Sequence, residues 1–289
     1  MKILVTGGAG FVGKNLCNTL ADNEGYQITA LDDLSNGSWV DLNTSVTRIE
    51  STVSNWLDTP EAEAAVFDVI YHLGEYARVE QSFDEPGKVI ESNSIGTAKV
   101  LKYCLAKKAK LVYAGSSTKF ATNVVGKESS PYALTKAMNT EMIKIFGDWY
   151  DLNYAICYFY NVYGPGEKRV GKYATFIGLC EHHYLKKTTL SLTSPGTQER
   201  NFTHISDIVN GLILVGKHGS GDNYGIGHPD SYSVLQVGKL FGLPTTLGPE
   251  KRGNRLAANV ITDRTEKLGW APQYNLPEYI SEFITKNKT

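Results

Sequence analysis

The chain has 289 residues, of which 42% are hydrophobic and 20% charged, and carries a formal net charge of −1. That balance is ordinary for a globular protein and gives no electrostatic footprint for nucleic acid or an anionic membrane surface. No run of eighteen apolar residues occurs, so no membrane-spanning helix is expected, and the length suits one large domain or two small ones.

The N-terminus reads Met-Lys-Ile-Leu-Val-Thr-Gly-Gly, a strand entering glycines rather than a secretion signal. Lys2–Thr6 is predicted as a strand and Phe11–Ala21 as an amphipathic helix. Between them Gly7, Gly10 and Gly13 are spaced three apart. In a strand–turn–helix setting the first glycine permits the tight turn, and the second lets the backbone approach a pyrophosphate. The third lets the helix pack on the strand. The helix start, with Phe11 and Val12, then offers free N–H groups to phosphate. A second strand, Tyr26–Leu31, ends at Asp32, where a carboxylate can grip the adenosine ribose and favours NAD over NADP. Asp33, Ser35, Asn36 and Gly37 form a polar turn close to the adenosine.

Further strands are expected at Val46–Ile49, Val66–Leu73 (closing in Gly74), Lys110–Ala114 and Asn153–Tyr160, with helices over 93–107 and from Pro131 to about Tyr150. Strands alternating with helices predict an α/β protein with a doubly wound parallel sheet, whose ligands bind outside the carboxyl ends of the strands. After Pro165 the rhythm changes. Helices are expected at 175–185, 207–215, 234–241 and 276–284, with short strands at 189–192 and 223–226. The expected division is a dinucleotide-binding Rossmann domain over 1–163 and a smaller mixed α/β domain over 164–289, with 202–226 returning to the first. The four cysteines (Cys17, Cys104, Cys157, Cys180) lie far apart without metal-ligand spacing. They read as reduced, buried thiols of a cytoplasmic protein, and no metal is expected.

The segment Ser116–Lys136 carries the chemistry. Tyr132 and Lys136 lie four apart, one turn on the same helix face. An ammonium beside a phenol favours the phenolate, and Ser116, ending a strand, offers a hydroxyl nearby. The set suits proton transfer where a hydride acceptor is bound alongside.

On these residues the chain resembles the extended short-chain dehydrogenase/reductase family, in its sugar-nucleotide epimerase/dehydratase branch. The resemblance runs nearly the whole length: Thr6–Gly13, Asp32–Gly37, Asp68–Gly74, Asn93–Thr97, Gly115–Thr118, Tyr132–Lys136, Asn161–Pro165, Arg200–Asp207, and Asp263 before Leu268-Gly269-Trp270. It implies NAD as cofactor and a nucleotide-sugar, most readily a UDP-hexose, as substrate. It implies Tyr132 as base, Lys136 on the nicotinamide ribose and Ser116, with Ser117 beside it, on the sugar. Leu73, Asn93 and Tyr160 would face the cofactor. Asn161 and Arg200 would hold the substrate diphosphate or sugar, with Arg252, or in its place Arg255, a second clamp. Thr52-Val53 stands where the family often has an acid contacting adenine.

Two departures bear on the reaction. Glu75 follows Gly74 where a small residue is usual; its carboxylate could contact the substrate sugar or pair with Arg78. Ser116-Ser117-Thr118 lacks the Asp-Glu pair with which, by the resemblance, 4,6-dehydratases eliminate water. The implied activity is therefore epimerisation at C4 of a UDP-sugar through a 4-keto intermediate by a homodimeric enzyme. A dehydratase or reductase on the same substrates and an idle NAD-binding module are the alternatives.

Overall fold

A computed structural model describes residues 1–120, 130–250 and 259–288; Arg252 and Arg255 lie outside them. The first half builds strands β1 (Lys2–Thr6), β2 (Gln27–Asp32), β3 (Thr47–Glu50), β4 (Val69–His72), β5 (Lys110–Ser116) and β6 (Tyr154–Phe159), and a later strand, β7 (Gly221–Ile226), completes one sheet. Its order is β7-β6-β5-β4-β1-β2-β3, and every pairing is parallel. The order reverses between β1 and β4, the point where such sheets open a ligand crevice.

The strands read as unbroken apolar runs because both faces are covered. Along β1, Ile3 and Val5 enter one core with Leu16, Cys17 and Leu20 of helix α1 (Phe11–Ala21), while Leu4 enters the opposite core. That opposite core takes Val100 and Leu101 from α2 (Gly96–Lys107) and Ile143 from α3 (Pro131–Tyr150). On the α1 side, α4 (Ile205–His218) adds Ile208, Leu212 and Val215, all wholly buried. Each such aliphatic side chain contributes roughly 1.5–3 kcal/mol on full burial.

A third core, with Tyr163, Ile177, Phe202, Val237, Phe241 and Ile280, belongs to the C-terminal half. Two short helices not expected from the sequence, Val53–Leu57 and Pro60–Ala64, start on the hydroxyls of Thr52 and Thr59. β4 begins at Val69 rather than Val66, whose side chain is exposed. α2 is preceded by a wider turn of helix, Ile90–Ile95, which holds Asn93. All four cysteines are free and buried.

Candidate active site

The glycine loop takes its shape from close approaches that only glycine allows. Gly7 has φ of 69°, and its N–H donates to the Leu31 carbonyl at 2.8 Å. A Cβ on Gly7 would lie 2.9 Å from the Gly74 backbone, and one on Gly13 would lie 2.0 Å from the Gly7 carbonyl oxygen. Gly10 caps α1 without a side-chain hydrogen bond, which leaves the first-turn N–H groups for an anion. Asp32 accepts the Ala9 N–H at 3.0 Å and the Leu34 N–H at 2.8 Å. Burial pushes its carboxyl above the usual range, against the pull of those hydrogen bonds.

A crevice of about 1060 Å³ opens beside this loop. Its lining brings together Gly7, Gly10, Phe11, Val12 and Gly13 with Asp32, Asp33, Ser35, Asn36 and Gly37. Thr52, Val53, Leu73 and Gly74 join them, with Asn161 just past β6 and Arg200 from the C-terminal half. Glycines that no Cβ could replace, a bare helix start and a carboxylate at the end of β2 fit a dinucleotide. The Thr52 hydroxyl is already used, accepting the Asn55 N–H at 3.1 Å. The Asn161 amide donates to the Asn201 carbonyl at 3.0 Å.

Ser116 ends β5 with Ser117 next to it, both nearly buried. Ser130 starts α3 by accepting the Ala133 N–H at 3.1 Å, and Pro131 occupies the first turn. Tyr132 is thereby set in the first turn, half-buried, within electrostatic reach of Arg78 and Tyr113. One turn on, the buried Lys136 donates to the Ala114 carbonyl at 2.5 Å and to the Glu75 carboxylate.

Glu75 departs from both expectations. Although it borders the crevice, its side chain is 1% exposed and turns inward, paired with Lys136. It also accepts from Thr97 at 2.8 Å, Asn139 at 2.9 Å and Tyr113 at 3.1 Å. It does not pair with Arg78, because the inward rotamer finds a cation and three further donors. Arg78 instead donates to the Tyr173 carbonyl at 2.8 Å and the Ala77 carbonyl at 3.1 Å, and its Nε has no protein partner among the described residues.

Four residues expected at the cofactor are not among those lining the crevice: Tyr132 and Lys136, described above, and Asn93 and Tyr160. Asn93 is wholly buried; its amide accepts the Tyr76 N–H at 2.7 Å and donates to the Tyr76 carbonyl at 3.2 Å and to Thr135 at 3.0 Å. It ties the loop after β4 to α3 rather than lining the crevice. Tyr160 is also wholly buried, and its hydroxyl donates to the Asn259 carbonyl at 2.9 Å. The sequence reading leaves out Lys168 and Tyr173, which line the crevice from the C-terminal half, and gives Arg78 no part in it. Arg78 was legible as a cation six residues past β4; nothing in the spacing of the other two marks them.

A parallel sheet with a glycine-lined crevice at the switch between β1 and β4, and a carboxylate at the end of β2, defines a dinucleotide-binding protein of the doubly wound class; Ser116, Ser117, Tyr132 and Lys136 are not among the residues lining that crevice, and Lys136 reaches its wall through Glu75. The sequence profile of the NAD dependent epimerase/dehydratase family matches residues 3–227. The chain belongs to that family, and its cofactor is NAD. It is 26% identical to a UDP-glucose 4-epimerase of Mycolicibacterium smegmatis, over 98% of this chain and 97% of that one. It is 24% identical to UDP-glucuronic acid decarboxylase 3 of Arabidopsis thaliana, over 96% and 86%. The crystal structure of a Thermotoga maritima UDP-glucose 4-epimerase with UDP-glucose shares the fold, with a TM-score of 0.91 and 24% identity over the full length of both chains.

Proposed function

We propose that the protein epimerises a nucleotide-linked hexose at C4, with a UDP-sugar as substrate. One observation carries the reading: Lys136 is bonded both to Ala114, two residues before Ser116, and to Glu75 at the crevice edge. The bond to Glu75 ties the buried cation to a residue of the crevice wall, which supports the reading.

In this reading Tyr132 takes the proton of the sugar 4-hydroxyl, and Ser116 holds that hydroxyl in line. NAD, which Gly7, Gly10, Gly13 and Asp32 would hold, would supply reversible hydride acceptance at C4, so no net redox would occur. Lys136, paired with Glu75, would meet the cofactor ribose through its remaining N–H. Asn161, just past β6, and Arg200, from the C-terminal half, both lining the crevice, would hold the diphosphate and sugar, with Ser117 beside Ser116. A positioned general base contributes roughly 10²–10⁴-fold.

The test is to incubate the purified protein with UDP-glucose, UDP-galactose and their N-acetyl forms, and to follow the sugars by proton NMR. Interconversion at C4 without net NAD reduction supports the reading. Loss of CO₂ from UDP-glucuronate or formation of a 4-keto-6-deoxy sugar would replace it with decarboxylation or dehydration.

A further inference from the structure

We infer that Glu75 is the positioning residue of Lys136: its carboxylate, on a residue of the crevice wall, fixes the place of the buried ammonium next to that wall. The inference rests on the reading of Lys136 as the cation that meets the cofactor ribose, and it assigns Glu75 a role other than substrate binding.

An ammonium has three donors and no acceptor. Two are assigned here, one to the Ala114 carbonyl and one to Glu75. Nζ also sits 4.8 Å from the centre of the Tyr113 ring, which packs beneath it. With two donors held by acceptors on different elements and a ring packed against it, the position of the ammonium is set by those neighbours rather than by the flexible lysine stem.

Glu75 can act as a fixed acceptor because it is itself held. Asn139 and the Thr97 hydroxyl donate to its Oε1 from α3 and α2, and Tyr113 donates from β5. Thr97 in turn lies 3.1 Å from His72 Nε2. Three neighbouring elements thus aim one carboxylate at one ammonium. Both side chains are nearly inaccessible, at 1% and 6% exposed. A buried ion pair is costly in desolvation and is not by itself a source of stability. A pair held by bonds from three elements at the crevice wall points to a functional use, preorganisation of the ammonium.

The test is a double-mutant cycle read in NAD affinity by titration calorimetry, with kcat and KM measured alongside. Glu75→Gln, which keeps the shape and removes the charge, should weaken NAD binding about 3–10-fold and lower kcat about 10–100-fold with little change in KM. Introduced into Lys136→Met, the same change should have less than a 2-fold effect on both, because there is no ammonium left to position. Thr97→Val, which removes one bond aiming Glu75 and leaves both charges, should give a smaller loss of the same kind. It also keeps the inference testable if Glu75→Gln fails to fold.

Equal losses with and without Lys136, or a lowered melting point with NAD affinity and kcat within 2-fold of wild type, would overturn the inference. The NAD-affinity cycle does not depend on the sugar reaction. If no sugar is turned over while the cycle shows coupling, the functional proposal fails and the role of Glu75 stands.

Discussion

Thr6 and His72 face each other in the register of β1 and β4, with the Thr6 hydroxyl 2.7 Å from His72 Nδ1. That hydroxyl oxygen also accepts the N–H groups of Leu73 and Gly74, at 3.1 and 2.9 Å, so its own hydrogen is directed at Nδ1. The bonding pattern assigns the ring hydrogen to Nε2, facing Thr97. A short polar chain therefore runs from the strand that feeds the glycine loop to Thr97, which donates to Glu75.

The chain has a pH dependence. Burial pushes the His72 imidazole from 6.5 down to about 4, so the folded protein keeps it neutral. An unfolded chain protonates it below about 6.5 and then binds more protons than the native state. Its contribution is full above that value and is lost as pH falls toward 4, by up to about 3 kcal/mol. His204, pushed to about 4 by burial, acts in the same window. Glu167 opposes both: burial raises it from 4.5 to about 7, and its contribution is lost as pH rises through that range. Denaturation midpoints between pH 7 and 4.5 should fall more steeply for wild type than for His72→Gln; parallel curves would refute the assignment.

Tyr132→Phe should lower turnover by about 10²–10⁴-fold while NAD remains bound. The variant keeps the ring and loses only the hydroxyl. Steady-state rates together with the cofactor content of the purified protein decide the matter, and near-normal turnover would remove Tyr132 as base.

Gly13→Ala places a methyl 2.0 Å from the Gly7 carbonyl oxygen, a backbone atom that cannot step aside. The loop must move, at a cost of about 1–3 kcal/mol, and NAD affinity should fall by at least tenfold. Gly87→Ala is the matched control. Nothing lies within 4 Å of its Cβ position, and it sits in a helical turn, so stability should hold or rise by about 0.5–1 kcal/mol. Thermal melts and calorimetry on the two variants separate a cradle effect from a generic glycine effect.

On α3, the side chains of Leu134, Met138 and Ile145 are 45%, 55% and 39% exposed. Their spacing puts them on one stripe of the helix. If that stripe is the contact between two copies, light scattering should give twice the 31.8 kDa chain mass, and Met138→Lys should shift it toward the monomer. A wild-type monomer would dismiss the dimer.

The cofactor half was readable where function is coded by local spacing. Gly7, Gly10, Gly13 and Asp32 announce themselves because each must occupy one place in a strand–turn–helix unit. Ser130-Pro131 likewise announces the start of α3. Asn93 and Tyr160 were placed at the cofactor by resemblance, yet their polar atoms close on the backbones of Tyr76 and Asn259. A buried amide or phenol takes whichever partner packing delivers, and packing is not written in neighbouring letters. The Glu75–Lys136 pair joins residues 61 positions apart and was invisible for the same reason. The Thr52 and Thr59 caps, by contrast, were legible in Thr-Val and Thr-Pro and could have announced the two short helices.

β7 and α4 finish the sheet and one of its cores, although they follow β6 by dozens of residues of the other half. During synthesis the nucleotide-binding half therefore cannot close when its first six strands have emerged. Until residue 226 has emerged from the ribosome, one flank of β6 is unpaired and one face lacks the cover of Ile208 and Leu212. A chain cut at 163 should therefore expose that edge and that face and aggregate more readily than the full chain.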